Sequence, residues 1–250
     1  MKTTLSLLLA IIAVTPAMNA NAQTTNNPIA TAKINWSSAR SGELQYLIYT
    51  PPEYSSKSDK RWPLMLFLHG AGERGSDVQR VAIHGPMSEV KKGTNFPFII
   101  IAPQCPTNQI WENEPLLQLL DYTVKHHAVD TKRVYLTGLS MGGYGTWKLG
   151  LHHAQKFAAI APVCGGGSMI DVIIGGWDKG APLKSLSIWA FHGAKDDVVP
   201  LDESERMVKQ CKKFGVKDVT LTVYPEAKHD SWKLTYADPK FYEWLLKQSR

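Results

Sequence analysis

The feature that most constrains the fold of this chain is a series of short apolar runs that recurs along most of its length. Several runs are uninterrupted, which is typical of strands buried on both faces of a parallel sheet. Amphipathic stretches with helical spacing lie between the later runs. The predicted strands are residues 44–49, 64–68, 98–102, 134–137, 158–162, 188–191 and 219–224, and the predicted helices are residues 114–127, 144–153, 204–214 and 239–247.

Strands that alternate with helices predict an α/β fold, a three-layer α/β/α sandwich in which helices cover both faces of a mostly parallel sheet. No repeat, low-complexity tract or Pro/Gly-rich linker divides residues 43–250, so we predict a single domain there. A chain of 250 residues with 44% hydrophobic residues is large enough to bury such a core.

The charges and cysteines exclude several classes of protein. The formal net charge is +6, but no run of five like charges occurs, which argues against a nucleic-acid partner. Three cysteines are too few for a disulfide framework, and we expect buried structural thiols at Cys105, Cys164 and Cys211. Without an H-E-x-x-H or P-loop motif, we expect no metal and no cofactor. The sequence does not specify an oligomeric state.

The first 22 residues have the composition of a cleaved secretory signal. Lys2 precedes an apolar run over residues 5–14, and Ala20 and Ala22 form a small-residue cleavage site. A membrane anchor would need about 18 to 20 apolar residues, so we predict a periplasmic or secreted protein without stable membrane association. Residues 23–42 are predicted to be a flexible leader that merges into a first strand.

Chemistry is expected where the parallel strands end, because open α/β sheets bind ligands at that edge. Gly138, Ser140 and Gly142 form a G-x-S-x-G motif between a predicted strand and a predicted helix. Such a turn holds the serine in a strained conformation with its hydroxyl exposed, which is typical of a nucleophile. The residue that follows the nucleophile, Met141, is expected to donate its N–H to an oxyanion.

A nucleophilic serine needs a histidine base and an orienting carboxylate, in the chain order Ser, acid, His for this architecture. His229 follows the last predicted strand and is the predicted base, whereas His192 precedes the acid candidates. Asp196 and its neighbour Asp197 are both candidates for the acid. Asp178 and Asp202 are weaker candidates.

A second oxyanion donor is expected from the loop after the strand that ends at Leu68. Ala71 is the predicted donor and Gly72 is the alternative, because small residues let this backbone approach the nucleophile closely.

These motifs resemble those of the α/β-hydrolase superfamily, and within it the phospholipase/carboxylesterase and feruloyl-esterase-like branch that includes carbohydrate esterase family 1. The resemblance spans residues 46–229 and rests on LFLHGAGERGSD at 66–77, VYLTGLSMGGYG at 134–145 and HGAKDDVVP at 192–200. In this family the acid is the third residue after the His-Gly pair, which implies Asp196. The resemblance also implies the roles already assigned to Ser140, His229, Ala71 and Met141.

The expected substrate is a small-molecule or polysaccharide-linked ester. The connection over residues 164–186 is too short for a large lid domain, so we expect an open cleft that suits a bulky acyl ester. Trp111, Trp177 and Trp232 are expected in loops at the catalytic edge, where they either stack on substrate or only pack their loops. We therefore predict a secreted feruloyl or acetyl esterase acting on plant xylan. The alternatives are a prolyl-oligopeptidase-like serine peptidase and a non-catalytic binding protein.

Overall fold

The computed structural model describes residues 28–37, 41–57, 59–178 and 180–250. The described residues form one eight-stranded sheet in the order β1-β2-β4-β3-β5-β6-β7-β8. Its strands are β1 (Ile29–Ser37), β2 (Ser41–Tyr49), β3 (Trp62–Leu68), β4 (Ile99–Pro103), β5 (Val129–Leu139), β6 (Ala159–Val163), β7 (Ser187–Gly193) and β8 (Val219–Tyr224). The predicted signal at residues 1–22 lies outside the described residues.

The sheet is mostly parallel, as predicted. Strands β3 to β8 pair in parallel with one another, whereas β1 pairs antiparallel with β2 and β2 antiparallel with β4. The carboxyl ends of β3 and of β5 to β8 therefore lie at one edge, where the candidate site residues were expected.

Helices cover both faces of this sheet. They are α1 (Gly85–Lys91), α2 (Asn113–His126), α3 (Met141–His152), α4 (Met169–Asp178), α5 (Gly180–Ser185), α6 (Asp202–Lys213), α7 (Trp232–Ala237) and α8 (Pro239–Leu246). The predicted helices correspond to α2, α3, α6 and α8. Helices α1, α5 and α7 have only six or seven residues, and α4 contains two glycines, so their sequences carry a weak helical signal.

The core consists of two layers, one on each face of the sheet. Leu64, Leu66 and Leu68 point into the layer that contains α2, α3 and α6, while Met65 and Phe67 point into the layer that contains α1 and α8. This alternation along β3 is the period-two pattern of a strand covered on both sides. The predicted three-layer α/β/α fold is thus confirmed, and no large lid domain is present among the described residues.

Two further features bear on the sequence predictions. Cys105, Cys164 and Cys211 are all buried free thiols. Among the helices of the described chain, none combines the length and apolar character that crossing a bilayer requires.

Candidate active site

The turn between β5 and α3 holds Ser140 in a strained backbone conformation. Its φ of 53° and ψ of −116° lie in a region that residues other than glycine rarely adopt. The two glycines of the motif make this turn possible, because side chains there would collide with backbone. A Cβ on Gly142 would lie 2.0 Å from the Leu68 carbonyl oxygen, and one on Gly138 would lie 2.5 Å from the Gly142 carbonyl oxygen.

The structure brings Ser140, His229 and Asp196 together although they are distant in sequence. His229 lies in the turn after β8, and its Nε2 is 2.9 Å from Ser140 Oγ. Its Nδ1 lies 2.8 Å from Asp196 Oδ2 and 3.0 Å from Asp196 Oδ1. A carboxylate can only accept, so the Nδ1 proton points at Asp196 and the Nε2 lone pair faces the serine hydroxyl.

The turn after β7 gives its two neighbouring aspartates very different surroundings. The Asp196 side chain is fully buried, and its Oδ1 accepts the backbone N–H groups of Val198 and Val199 at 3.0 and 2.9 Å. The Asp197 side chain is 67% exposed and lies 4.0 Å from Lys228 Nζ. Only Asp196 of this pair contacts His229, and the two peptide N–H groups fix the orientation of its carboxylate.

The two predicted oxyanion donors, Met141 and Ala71, each stand at the start of a helical turn. Met141 is the first residue of α3, so its N–H has no acceptor within the helix. Ala71 begins a short 3₁₀ turn, Ala71–Glu73, directly after β3. The preceding N–H, that of Gly70, already donates to the Glu73 carboxylate at 2.9 Å. The N–H of Ala71 is therefore the first one after Gly70 that does not donate to the Glu73 carboxylate.

A buried histidine fixes the conformation of the Ala71 loop. Cys105 N–H donates to His69 Nε2 at 2.9 Å, so the ring proton is on Nδ1, which donates to the Gly70 carbonyl at 2.6 Å. The indole N–H of Trp111 donates to the His69 carbonyl at 3.0 Å. Burial lowers the pKa of His69 to about 4, so this ring is neutral at physiological pH.

We expect His69 to make the protein less stable in mild acid. Because its pKa is about 4 in the folded protein and near 6.5 in the unfolded chain, the unfolded chain takes up the proton first as pH falls. The stability is complete above pH 6.5 and decreases by about 3 kcal/mol as the pH approaches 4. Urea unfolding at several pH values measures this slope. If a His69→Gln variant showed the same pH dependence of the free energy of unfolding, His69 would not be the cause of the loss of stability in acid.

His192 and Glu73 are buried polar residues whose positions were not predicted. His192 Nε2 lies 2.9 Å from the Val199 carbonyl oxygen and 3.3 Å from Asp196 Oδ2, so this ring supports the turn that carries the acid. Glu73 holds the Gly70 N–H. One sequence signal could have indicated the buried position of His192. A His-Gly pair at the end of a buried strand occurs both at His69 and at His192.

Cys164, Asp196 and His229 place a thiol, a carboxylate and an imidazole within 4.8 Å of one another. Burial raises the pKa of the Cys164 thiol to about 12, so it remains protonated at neutral pH. Both nitrogens of His229 already face hydrogen-bonding partners. Since metals bind thiolate and an imidazole with a free lone pair, the arrangement suits proton transfer better than metal binding.

An open cleft of about 620 Å³ begins at Ser140 and follows the outer face of α3. Tyr144 and Lys148 lie four and eight residues after Ser140, on the same helical face. Ile110 and Trp111 form one wall, and the start of α4 forms the other. The cleft is therefore apolar near the serine and carries charged groups only at its far end.

The three tryptophans expected in loops at this edge have different outcomes. Trp111 lies in a loop and lines the cleft, but it is mostly buried and packs against His69. Trp232 is the first residue of α7, and its ring contacts the His229 ring edge to face at 5.3 Å.

The predicted loop position of Trp177 is wrong. It belongs to α4 rather than to a loop, and its side chain is 74% exposed. The preceding Gly176 packs against Phe214, at the end of α6 that leads into β8. That end of a helix lies at the amino edge of a parallel sheet, opposite Ser140. Trp177 therefore lies away from Ser140, and it lines neither of the clefts described in this structure.

Comparison with known proteins identifies related sequences. The model of the family described as Phospholipase/Carboxylesterase matches residues 108–238, which include Ser140, Asp196 and His229. The chain is 30% identical over 172 residues to the bifunctional acetylxylan esterase/xylanase XynS20E of Neocallimastix patriciarum. It is 27% identical over 173 residues to the probable feruloyl esterase C of Aspergillus terreus. Each alignment covers 66% of this chain, but only 23% and 60% of the respective relatives.

A solved structure supports the same relationship. A thermostable esterase is 31% identical to this chain and superposes with a TM-score of 0.74. The superposition covers 89% of this chain and 64% of that structure. The likeness thus extends over the sheet, the helices and the edge that carries Ser140.

Proposed function

The chain belongs to the phospholipase/carboxylesterase family, and from that membership we propose that it is a serine carboxylesterase that forms an acyl-enzyme on Ser140. The observation that carries the proposal is the line of hydrogen bonds from Asp196 through His229 to Ser140 at the mouth of an open cleft. A buried carboxylate, a histidine of fixed tautomer and a strained serine are the parts that acyl transfer requires.

In the first half-reaction, Ser140 Oγ attacks the ester carbonyl while His229 Nε2 takes the hydroxyl proton. The N–H groups of Met141 and Ala71 stabilise the negative oxygen of the tetrahedral intermediate. The intermediate collapses with cleavage of the carbon–oxygen bond, and His229 gives its proton to the departing alcohol. Asp196 stabilises the imidazolium form of His229 between these two transfers.

In the second half-reaction, His229 removes a proton from a water molecule that attacks the acyl-enzyme carbonyl. A second tetrahedral intermediate forms at the same N–H groups and then releases the carboxylic acid. The proton returns through His229 to Ser140 Oγ, which restores the starting state. The imidazole of His229 and the two oxyanion N–H groups thus serve both half-reactions.

We infer that the ester is a feruloyl or acetyl group on plant cell-wall polysaccharide and that the enzyme is secreted. Three observations support this substrate. The cleft is open at the serine, its walls near Ser140 are apolar, and relatives are named acetylxylan esterase and feruloyl esterase. An open apolar cleft suits a bulky acyl ester because it leaves room for the attached polymer. Secretion is supported by the signal-like composition of residues 1–22.

The proposal is tested by comparing kcat/KM of the purified protein on methyl ferulate, p-nitrophenyl acetate and a prolyl-peptide anilide. We expect turnover of one or both esters, and little or none of the anilide. Strongest turnover on ferulate identifies a feruloyl esterase, and turnover of acetate alone identifies a deacetylase. Strongest turnover on the anilide would contradict the ester assignment and favour a peptidase.

A further inference from the structure

A second cleft, of about 680 Å³, adjoins the one that begins at Ser140. The two clefts share Ile110 and Trp111 as their common wall. Ile110 is 62% exposed, so the boundary between them is a low apolar ridge rather than a closed wall. A substrate whose ester lies at Ser140 can therefore continue over this ridge into the second cleft.

An aromatic ring lies at the far side of the second cleft. Trp36, near the end of β1, lines the cleft and is only partly buried. Its indole packs on the neighbouring strand at Gly42, where an added Cβ would lie 2.8 Å from the indole nitrogen. Because Gly42 has no side chain, the indole lies directly against the backbone of β2, so the ring is held in place while part of it remains open to the cleft. Such a surface suits flat stacking contacts.

The polar side chains that line the second cleft are amides and carboxylates. Asn108 and Gln109 contribute side-chain amides, and both residues are exposed. An amide carries a donor and an acceptor side by side, so it can hydrogen-bond to hydroxyl groups that also carry both.

The charged side chains that line the second cleft favour an uncharged occupant over an anionic one. Its described lining contains three carboxylates, Glu43, Glu112 and Glu114, and no Lys or Arg. Lys33 pairs with Glu43 at 2.9 Å and Lys148 pairs with Glu112 at 2.9 Å, and both lysines lie outside the described lining. The hydrogen bond from Lys33 holds the pKa of the Glu43 carboxyl below its usual value. Carboxylates accept hydrogen bonds from hydroxyl groups but repel phosphate, sulfate and uronate groups.

We propose that this second cleft binds an uncharged oligosaccharide chain that carries the ester group, with Trp36 stacking on a sugar ring. The proposal rests on the proposed esterase function for the placement of the ester at Ser140. An aromatic platform, hydroxyl-binding amides and carboxylates, and continuity with the catalytic cleft support this occupant. The enzyme then selects esters by the glycan attached to them as well as by the acyl group.

The first experiment compares two substrates that share one acyl group, a xylo-oligosaccharide ester and the corresponding methyl ester. For Trp36→Ala, we expect the ratio of kcat/KM for the oligosaccharide ester to that for the methyl ester to fall about tenfold. Trp177→Ala is the matched control, since Trp177 is an exposed tryptophan remote from both clefts, and we expect its ratio to equal that of the wild type. An unchanged ratio for Trp36→Ala would overturn the proposal.

The second experiment measures binding without catalysis. Xylotetraose is titrated into the folded protein by calorimetry, and we expect saturable binding that Trp36→Ala weakens and Trp177→Ala preserves. Absence of binding, or tighter binding of the anionic polygalacturonate, would contradict the proposal. If Trp36→Ala does not fold, Gln109→Ala replaces it, because only its exposed side chain is removed. This titration measures glycan binding and does not depend on catalysis. If the protein proved not to be an esterase, the titration would still test the second cleft, so the two proposals can fail separately.

Discussion

Replacement of Ser140 with alanine is expected to lower kcat for ester hydrolysis by about 10⁴- to 10⁶-fold. The substitution removes the only atom that can form the acyl-enzyme in the proposed mechanism, while the N–H groups of Met141 and Ala71 remain. Steady-state kinetics on methyl ferulate and p-nitrophenyl acetate measure the loss. The strained backbone at residue 140 is unaffected by the missing hydroxyl, so we expect the melting temperature to change by no more than a few degrees.

Ser185→Ala is the control for this substitution. Ser185 is an exposed serine at the end of α5, and its hydroxyl donates to the Pro182 carbonyl at 3.1 Å. It lies outside both clefts, so we expect wild-type kcat and KM. If Ser140→Ala retained more than a tenth of the wild-type kcat, the acyl-enzyme mechanism would have to be abandoned. Mass spectrometry after reaction with a fluorophosphonate gives a second readout, since only the wild type should be labelled.

The strands could be predicted because burial on both faces leaves a continuous apolar signature. The predicted first and last residues of the strands were less accurate, as strand β5 shows. It was predicted to begin at residue 134 but begins at Val129, because residues 130–133 are polar and partly exposed. Trp62 pairs with Val129, and a register shift follows before Leu64 pairs with Val134. Pairing with a neighbouring strand, rather than local composition, therefore determines where this strand starts.

Helix α4 was missed because its glycines look like helix breakers. In the structure they are positions of close packing. Gly175 lies against the Leu151 carbonyl oxygen, and Gly176 lies against the Phe214 ring, where a Cβ would be 2.5 Å away. The packing of α4 against its neighbours overrides the weak helical propensity of glycine. This error also explains the misplacement of Trp177.

Sequence reasoning selected side chains that the structure brings together, but it did not find the buried polar residues around them. The G-x-S-x-G motif located Ser140, and chain order located His229. Local sequence did not separate Asp196 from Asp197, which required the family resemblance. Chain order argued against His192 as the base, but the contact of its ring with the turn of Asp196 could not be foreseen. Hydrogen bonds of a buried polar group depend on which loops meet in space, and spacing in sequence does not show that.

Replacement of Asp196 with asparagine is expected to lower kcat by about 10⁴-fold while the fold is retained. Asparagine has the shape of aspartate, but its amide N–H can donate a hydrogen bond to His229 Nδ1. The proton of the ring then moves to Nε2, which loses the lone pair that must accept the Ser140 proton. The lost negative charge also destabilises the imidazolium form. Kinetics on p-nitrophenyl acetate from pH 6 to 10 measure the effect, and part of the activity should return at high pH, where hydroxide replaces the base.

Asp197→Asn is the matched control, because it makes the same change one residue away on a side chain that faces solvent. We expect its kcat to remain within about twofold of the wild type, since an exposed charge near Lys228 contributes little. A large loss of kcat in Asp197→Asn with little loss in Asp196→Asn would show that Asp197, and not Asp196, is the acid. Equal losses in both variants would indicate that the turn as a whole, rather than one carboxylate, orients His229. The ratio of the two kcat values therefore isolates the buried charge of Asp196 from the conformation of the turn that carries it.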